Sequence, residues 1–161
     1  ELGFETTEVA PVAVGGRTVS STAIRAAVEA GELASAAEML GRDYSVLGTV
    51  VPGDQRGREI GFPTANFAAY NEQFPPDGVY AVRVRIDERD RPGVANIGKR
   101  PTVDSSGRRL LEVHILDFAG DLYGRDIEAF FTRFVRPEKK FDSIEALREQ
   151  IRADADAARR G

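Results

Sequence analysis

Apolar and polar residues alternate most regularly between Tyr80 and Ile86, where Tyr80, Val82, Val84 and Ile86 are separated by Ala81, Arg83 and Arg85. A period of two predicts a strand with one buried face. Leu111, Val113 and Ile115 repeat the pattern, with Glu112 and His114 on the opposite side. Further strands are predicted at Val46–Val51, Gly93–Ile97 and Ile127–Arg136. Turn-forming stretches separate them: Pro75-Pro76-Asp77-Gly78, Asp87–Gly93, Asp104–Gly107 and Ala119–Gly124. Strands this closely spaced, with no helices between them, favour an antiparallel barrel over a doubly wound sheet.

The period changes at both ends of the chain. Near the start, Ser20-Ser-Thr-Ala-Ile-Arg-Ala-Ala-Val-Glu-Ala-Gly31 predicts a helix capped near Ser21 or Thr22 and stopped by Gly31. A second, Glu32 to Leu40, stops at Gly41 in the same way. Before them, Glu8 to Val14 reads as an extended segment entering a Gly15-Gly16 turn. This first region is too small to hold a core alone and reads as the end of a larger domain. At the other end, Ile144, Leu147, Ile151, Ala155 and Ala158 share one helical face, and Asp142 and Glu145 stand at capping-box spacing. That helix is expected to cover one side or end of the barrel.

With 161 residues, 42% hydrophobic and 30% charged, the chain has room for about one domain with its own core. A net charge of −4 weighs against a nucleic-acid or anionic-membrane partner, but not against a nucleotide carried with its own cation. The absence of cysteine excludes disulfides, thiolate metal sites and cysteine nucleophiles. No apolar run approaches the roughly 18 residues of a membrane span. Nor does the opening Glu-Leu-Gly-Phe-Glu resemble a secretory signal. The expectation is a cytoplasmic protein, and the missing initiator methionine predicts a piece of a longer one.

Four segments carry candidate chemistry. Gly48, Gly53, Gly57 and Gly61 are laid over a short stretch that closes in Pro63-Thr-Ala-Asn66. Glycines let backbone N–H groups approach a phosphate closely, and Arg56 and Arg58 add positive charge. Neither the Walker loop nor the dinucleotide fingerprint is present, so a ligand-free hairpin stays open beside a phosphate loop. If Thr64 and Asn66 lie in extended chain, their oxygens project to one side as neutral ligands for a phosphate-bound magnesium. An Asn bonding its own turn is the alternative. Glu112, on the polar side of its strand, is a candidate base for an attacking hydroxyl or simply a solvated carboxylate. His114 carries no assigned role. Finally, Phe134-Val-Arg136-Pro-Glu-Lys139-Lys-Phe141 interleaves charge with aromatic faces, as a solvated loop or a clamp for a flat heterocycle.

Taken in order, these segments resemble the riboflavin kinase domain from about Tyr44 to Arg159. The resemblance is carried by Gly48-x-Val50-x-x-Gly53, Gly61-Phe-Pro-Thr-Ala-Asn66, Pro76-x-Gly78-Val-Tyr80 and Asn96-Ile-Gly98-x-Arg100-Pro-Thr102. It continues through Glu112-Val-His-Ile-Leu-Asp117-Phe118, Leu122-Tyr-Gly124 and Arg136-Pro-Glu-Lys-x-Phe141-Asp142. Residues 1–43 resemble the last part of the FMN adenylyltransferase domain of bacterial FAD synthetases, through Ser20-Ser-Thr-x-x-Arg25. That activity's His-x-Gly-His motif is absent, so this chain is not expected to make FAD.

The resemblance implies a mainly β fold, a six-stranded antiparallel Greek-key barrel with a C-terminal helix, residues 44–161 forming the kinase domain. It implies transfer of the ATP γ-phosphate to riboflavin, giving FMN and ADP, with Mg2+ on Thr64 and Asn66. Glu112 is the implied base for the ribityl hydroxyl. Nucleotide contacts are implied for Gly48, Val50, Gly53, Arg58, Gly61, Pro63, Thr64, Asn66 and Tyr123, and flavin contacts for Glu112, Arg136, Lys139 and Phe141. A barrel that binds flavin or FMN without catalysis is the alternative.

Overall fold

The computed structural model describes residue 3 and residues 5–70, 73–99 and 109–160. The Asp104–Gly107 turn and the Arg100-Pro-Thr102 end of one motif lie outside those residues. In chain order the elements are strands β1 (Ala13–Val14) and β2 (Arg17–Thr18), then helices α1 (Ser21–Glu29) and α2 (Leu33–Leu40). Strand β3 (Ser45–Val51), helix α3 (Arg56–Glu59) and strands β4 (Ala65–Ala69), β5 (Gly78–Ile86) and β6 (Arg89–Lys99) follow. Strands β7 (Arg109–Ile115) and β8 (Asp126–Arg136) and helix α4 (Ile144–Arg159) complete the chain.

Strands β3 to β8 close into one antiparallel barrel of order β3-β4-β7-β6-β5-β8, so the β4–β5 and β7–β8 connections cross over neighbouring strands. The predicted alternation fixes which side faces in. Tyr80, Val82, Val84, Ile86, Leu111, Val113 and Ile115 are buried in the interior with Val46, Val50, Phe67, Ile97 and Phe131. Outside, Val79, Ala81 and Val94 are also buried, because α4 lays Ala155 and Ala158 over them. The apolar stripe of α4 is therefore divided in function. Its C-terminal half packs on β5 and β6, while Ile144, Leu147 and Ile151 face a cavity.

Several boundaries move for local reasons. The cap of α1 is Ser20, one residue before the predicted position, with its hydroxyl accepting from the Ala23 N–H at 3.1 Å. The cap of α4 is Ser143 rather than Asp142: its hydroxyl accepts from the Ala146 N–H at 3.1 Å, and Glu145 falls in the first turn. Helix α2 ends as predicted at Gly41, whose φ of 70° is the left-handed cap conformation. Three elements were not predicted, the first being β2, which pairs with β1 across the Gly15-Gly16 turn. Gly-rich residues 56–59 form one helical turn, and Ala65–Ala69 form a full strand paired with both β3 and β7. Asn is a poor strand former, so only tertiary pairing makes Pro-Thr-Ala-Asn run on as a strand.

Helices α1 and α2 bury Ala27, Val28, Ala36 and Met39 against one another, and Tyr44 touches both this small cluster and the barrel core. Leu33 joins the barrel core directly. The helical segment is thus seated on the barrel rather than hung from it.

Gly48 lies in mid-strand where β3 and β4 approach closely. A Cβ there would stand 2.8 Å from the Ala68 carbonyl oxygen and 2.9 Å from the Ala69 Cα, both backbone atoms. Gly48→Ala is expected to destabilise the fold by about 1–3 kcal/mol, the usual scale for overpacking. Urea unfolding measures this, and an unchanged midpoint would show that the strands can part without loss.

Candidate active site

Strand pairing places one continuous row of residues around the barrel. Val51 pairs with Asn66, Asn66 with Glu112, Glu112 with Asn96, Asn96 with Val79, and Val79 with Arg136. Directly paired side chains on one face lie about 5 Å apart. Asn66, Glu112 and Asn96 therefore form a polar strip across β4, β7 and β6, each half-buried while its strand neighbours Phe67, Leu111, Val113, Ala95 and Ile97 are buried.

Two cavities, about 550 and 510 Å3, flank this strip, and among the described residues Thr64 alone lines both. The first lies over the end of the barrel core, floored by Val50, Val113, Ile115 and Leu122. Its polar lining includes Thr64, Asn66, Arg58 and Asp121. The second lies on the outer face, between the barrel, α3 and α4. Glu112, Asn96, His114 and Glu138 stand on its polar side, and Ile60, Phe62, Phe141, Ile144, Leu147 and Ile151 supply apolar wall.

The residues singled out from sequence sort cleanly between these spaces. Val50, Gly53, Arg58, Pro63, Thr64, Asn66 and Tyr123 line the first; Glu112, Arg136, Lys139 and Phe141 line the second. Gly48 and Gly61 line neither. Gly48 has the packing part described above, and Gly61 takes a left-handed turn (φ 85°) that ends α3. Arg56 and Arg58, expected to act together, fall on opposite sides of the single α3 turn and face different cavities.

The glycines of this region make room for side chains. A Cβ on Gly53 would overlap the Asn66 amide, and one on Gly57 would overlap the Phe62 carbonyl and stand 3.4 Å from Thr64 Oγ1. The loop thus closes tightly over both oxygen ligands predicted from sequence. Among the described residues no group of three or more His, Cys, Asp or Glu is placed to hold a metal. Two neutral oxygens fit a divalent ion that brings the rest of its shell on a phosphate.

Arg136 differs from expectation. Its Nε donates to Asp154 Oδ1 and Oδ2 (3.0 and 3.1 Å), its Nη2 donates to Oδ2 (2.8 Å), and its Nη1 donates to the Pro137 carbonyl (3.0 Å). Asp154 is 3% exposed and also accepts from Gln150 Nε2 at 2.9 Å. These guanidinium donors are engaged with α4 rather than turned to a ring in the cavity. Phe141 instead has cations on both flanks, the Arg136 Cζ 5.7 Å and the Lys139 Nζ 5.6 Å from its ring centroid.

Four site residues escaped sequence reasoning. Asn96 Nδ2 donates to Glu138 Oε1 at 3.2 Å, and the Glu138 carboxylate occupies the space a Cβ on Gly98 would fill. His114 Nδ1 lies 2.8 Å from the Pro63 carbonyl oxygen. Arg148 Nε donates to the Ile60 carbonyl at 3.3 Å, tying α4 to the α3 segment. The alternations Ala95-Asn96-Ile97 and Val113-His114-Ile115 signalled an outward Asn96 and His114; nothing local signalled the other two.

A family model for flavokinase, described as riboflavin kinase, matches residues 40–161. The chain belongs to the riboflavin kinase family. Two bacterial relatives, both named bifunctional riboflavin kinase/FMN adenylyltransferase, are close in sequence. That of Escherichia coli (strain K12) is 46% identical over 99% of this chain and 51% of its own length. The Pseudomonas fluorescens protein is 45% identical over 98% and 50%. The chain thus spans about half the length of the curated relatives it matches. Among solved structures, a Streptococcus pneumoniae protein described as a macrolide-efflux protein superposes with a TM-score of 0.85 at 37% identity, over 95% of this chain and 50% of that one. No helix among the described residues is long and apolar enough to cross a membrane. The riboflavin kinase of Trypanosoma brucei shares the fold, with a TM-score of 0.50 at 23% identity over 72% of this chain and 77% of that one.

Removing one partner of a buried ion pair leaves a charge without compensation, at a cost of about 3–5 kcal/mol. Asp154→Ala is accordingly expected to destabilise this kinase domain by about 3 kcal/mol and to loosen α4 over the second cavity. Chemical denaturation gives the first quantity and hydrogen exchange along residues 144–159 the second; native-like values for both would release Asp154 from this part.

Proposed function

We propose that the chain transfers the terminal phosphoryl group of ATP to the 5′-hydroxyl of riboflavin, releasing FMN and ADP. One observation carries the reading: among the described residues Thr64 is common to the two cavities, and Asn66 of the first cavity pairs in register with Glu112 of the second. A reaction between two substrates needs two adjoining spaces with the reacting atoms at their shared wall.

The first cavity suits the nucleotide. Its charged side chains are few, Arg58 and Asp121, so the protein alone neutralises little of a triphosphate. Magnesium held on Thr64 and Asn66 would supply that charge. Backbone N–H groups of the stretch ahead of Arg58 would add donors, those of Arg58 to Gly61 being engaged by carbonyls within the turn, and Tyr123, 49% exposed at the rim, is offered to the base. The second cavity suits the vitamin, with Phe141, Ile60 and the N-terminal half of α4 providing an apolar slot for a tricyclic ring. Asn96 and Glu138 offer polar partners to the hydroxylated tail.

In the transfer, Glu112 accepts the proton of the 5′-hydroxyl as that oxygen forms its bond to the γ-phosphorus and the bond to the ADP oxygen breaks. The carboxylate then returns the proton to solvent. A barrel that only captures flavin would need neither the first cavity nor the Thr64–Asn66 pair. Residues 1–43 are read as the end of an adenylyltransferase domain that precedes the kinase in a longer parent, after the names of the relatives.

Incubation with riboflavin, ATP and magnesium, followed by chromatography for FMN, tests the reading directly; riboflavin returned unchanged would refute it. Glu112→Gln is expected to lower kcat by roughly 10²–10⁴ with small effects on ligand affinity, the usual scale for a lost general base. Single-turnover rates check this, and near-normal turnover would remove Glu112 from the part. Asn66→Ala is expected to weaken nucleotide binding in the presence of magnesium but not in its absence. Calorimetric titrations with and without the ion separate these cases, and an equal loss in both would count against Asn66 as a ligand.

A further inference from the structure

His114 stands two residues along β7 from Glu112, on the same outward face, and its ring forms part of the wall of the second cavity. Its ring nitrogen reaches elsewhere: Nδ1 lies 2.8 Å from the carbonyl oxygen of Pro63, a residue of the first cavity. A carbonyl only accepts, so the proton of this bond sits on Nδ1. The same ring meets Phe62 edge-on, with centroids 5.6 Å apart and planes at 82°.

The segment so held is short and critical. Between the end of α3 and the first paired residue of β4, Ala65, the chain is anchored first by the Gly61 N–H on the Arg58 carbonyl (3.1 Å) and by Arg148 Nε on the Ile60 carbonyl (3.3 Å). The Phe62 N–H donates to the Gly57 carbonyl at 2.7 Å, and His114 donates to the Pro63 carbonyl. Pro63 has no N–H to offer. Its carbonyl belongs to the planar peptide unit that ends at the Thr64 Cα, so fixing that oxygen fixes the direction from which the Thr64 side chain leaves.

We propose that His114 is a positioning residue: from the cavity that holds Glu112 it fixes the Pro63–Thr64 peptide and so aims the Thr64 hydroxyl at the wall between the two cavities. The part is played by the Nδ1–H donor and not by the bulk of the ring. The inference rests on the kinase reading for its activity measurement, but a binding measurement stands apart from it.

Two substitutions divide donor from ring. His114→Phe keeps a ring against Phe62 and loses the donor; His114→Asn keeps an N–H near the Nδ1 position and loses the ring. The donor part predicts that H114F lowers kcat/KM for ATP by about tenfold, the upper end of what one ordinary hydrogen bond contributes. H114N should stay within about threefold of the parent. A wall part alone predicts the opposite order, with Phe the milder change. Riboflavin binding without nucleotide, followed by flavin fluorescence, should change by less than about threefold in H114F, which separates nucleotide-side positioning from general damage. Calorimetric titration of magnesium with ATP on the same proteins gives the same ranking without turnover. If the parent makes no FMN, the kinase reading fails, while the calorimetric order still decides the part of His114. Should H114F not fold by circular dichroism, H114Q takes its place, since its amide sits one carbon too far along to restore the bond. Equal nucleotide affinities in H114N and the donor-less variant, or a weaker affinity in H114N, would overturn the proposal.

Discussion

The antiparallel register of β4, β7 and β6 is the constraint on which the site depends. Side chains alternate strictly along a strand, so a slip of β7 by one residue would carry Glu112 inward and push Leu111 or Val113 to the outside. Burying a carboxylate among Val46, Val82 and Phe131 would cost several kcal/mol, as would exposing the leucine and valine. The core therefore holds the register, and the register holds Asn66, Glu112 and Asn96 in one strip. Alignment of this kind is set by the fold rather than by the polar side chains themselves. It is inherited from the hydrophobic interior one residue away.

The elements that follow from simple periodicity were visible in the chain. Tyr80–Ile86 and Leu111–Ile115 read as strands because only one side of each had to be apolar for the interior, and α4 announced itself through a stripe at helical spacing. Glu112 was legible for the same reason, as the polar member of an apolar alternation. What stayed hidden depended on contacts distant in sequence. Strand β4 is made by its neighbours, since Pro-Thr-Ala-Asn has the composition of a turn. The pairing of Arg136 with Asp154 joins residues on different elements, so no local pattern distinguishes that arginine from one free to bind a ligand. The family resemblance located Thr64 and Asn66; physical reading alone left them equally open to a turn.

Helix α4 has a double part that its sequence does not announce. Ala155 and Ala158 are small enough to let the helix lie close on β5 and β6, while the larger Ile144, Leu147 and Ile151 stand away from the barrel and enclose a space. Asp154 sits at the change between the two, holding Arg136 on the barrel side. The gradation from small to large residues along one helical face converts a packing interface into a cleft. Arg148, bonded to the Ile60 carbonyl, extends the same helix to the α3 segment, so one element closes the second cavity on two sides.

A small barrel leaves no room for ligands inside it. Here Tyr80, Phe131, Ile97 and Leu111 fill the interior and each is at most 2% exposed. Under the proposed reaction two substrates would be held at the end and on the outer face of the closed sheet, where strands supply one wall and the connections supply the rest. This explains the distribution of the chemistry-bearing residues. The stretch from β3 to β4 and the Asp117–Tyr123 turn enclose the first cavity, and the chain after β8 encloses the second. Connections are less rigid than strands, so each is bonded back to the barrel or to α4 at a backbone carbonyl. Pro63 is held by His114 and Ile60 by Arg148, while Glu138 is held through its carboxylate by Asn96. The barrel sets where the polar strip stands, and these three bonds keep the cavity walls close to it.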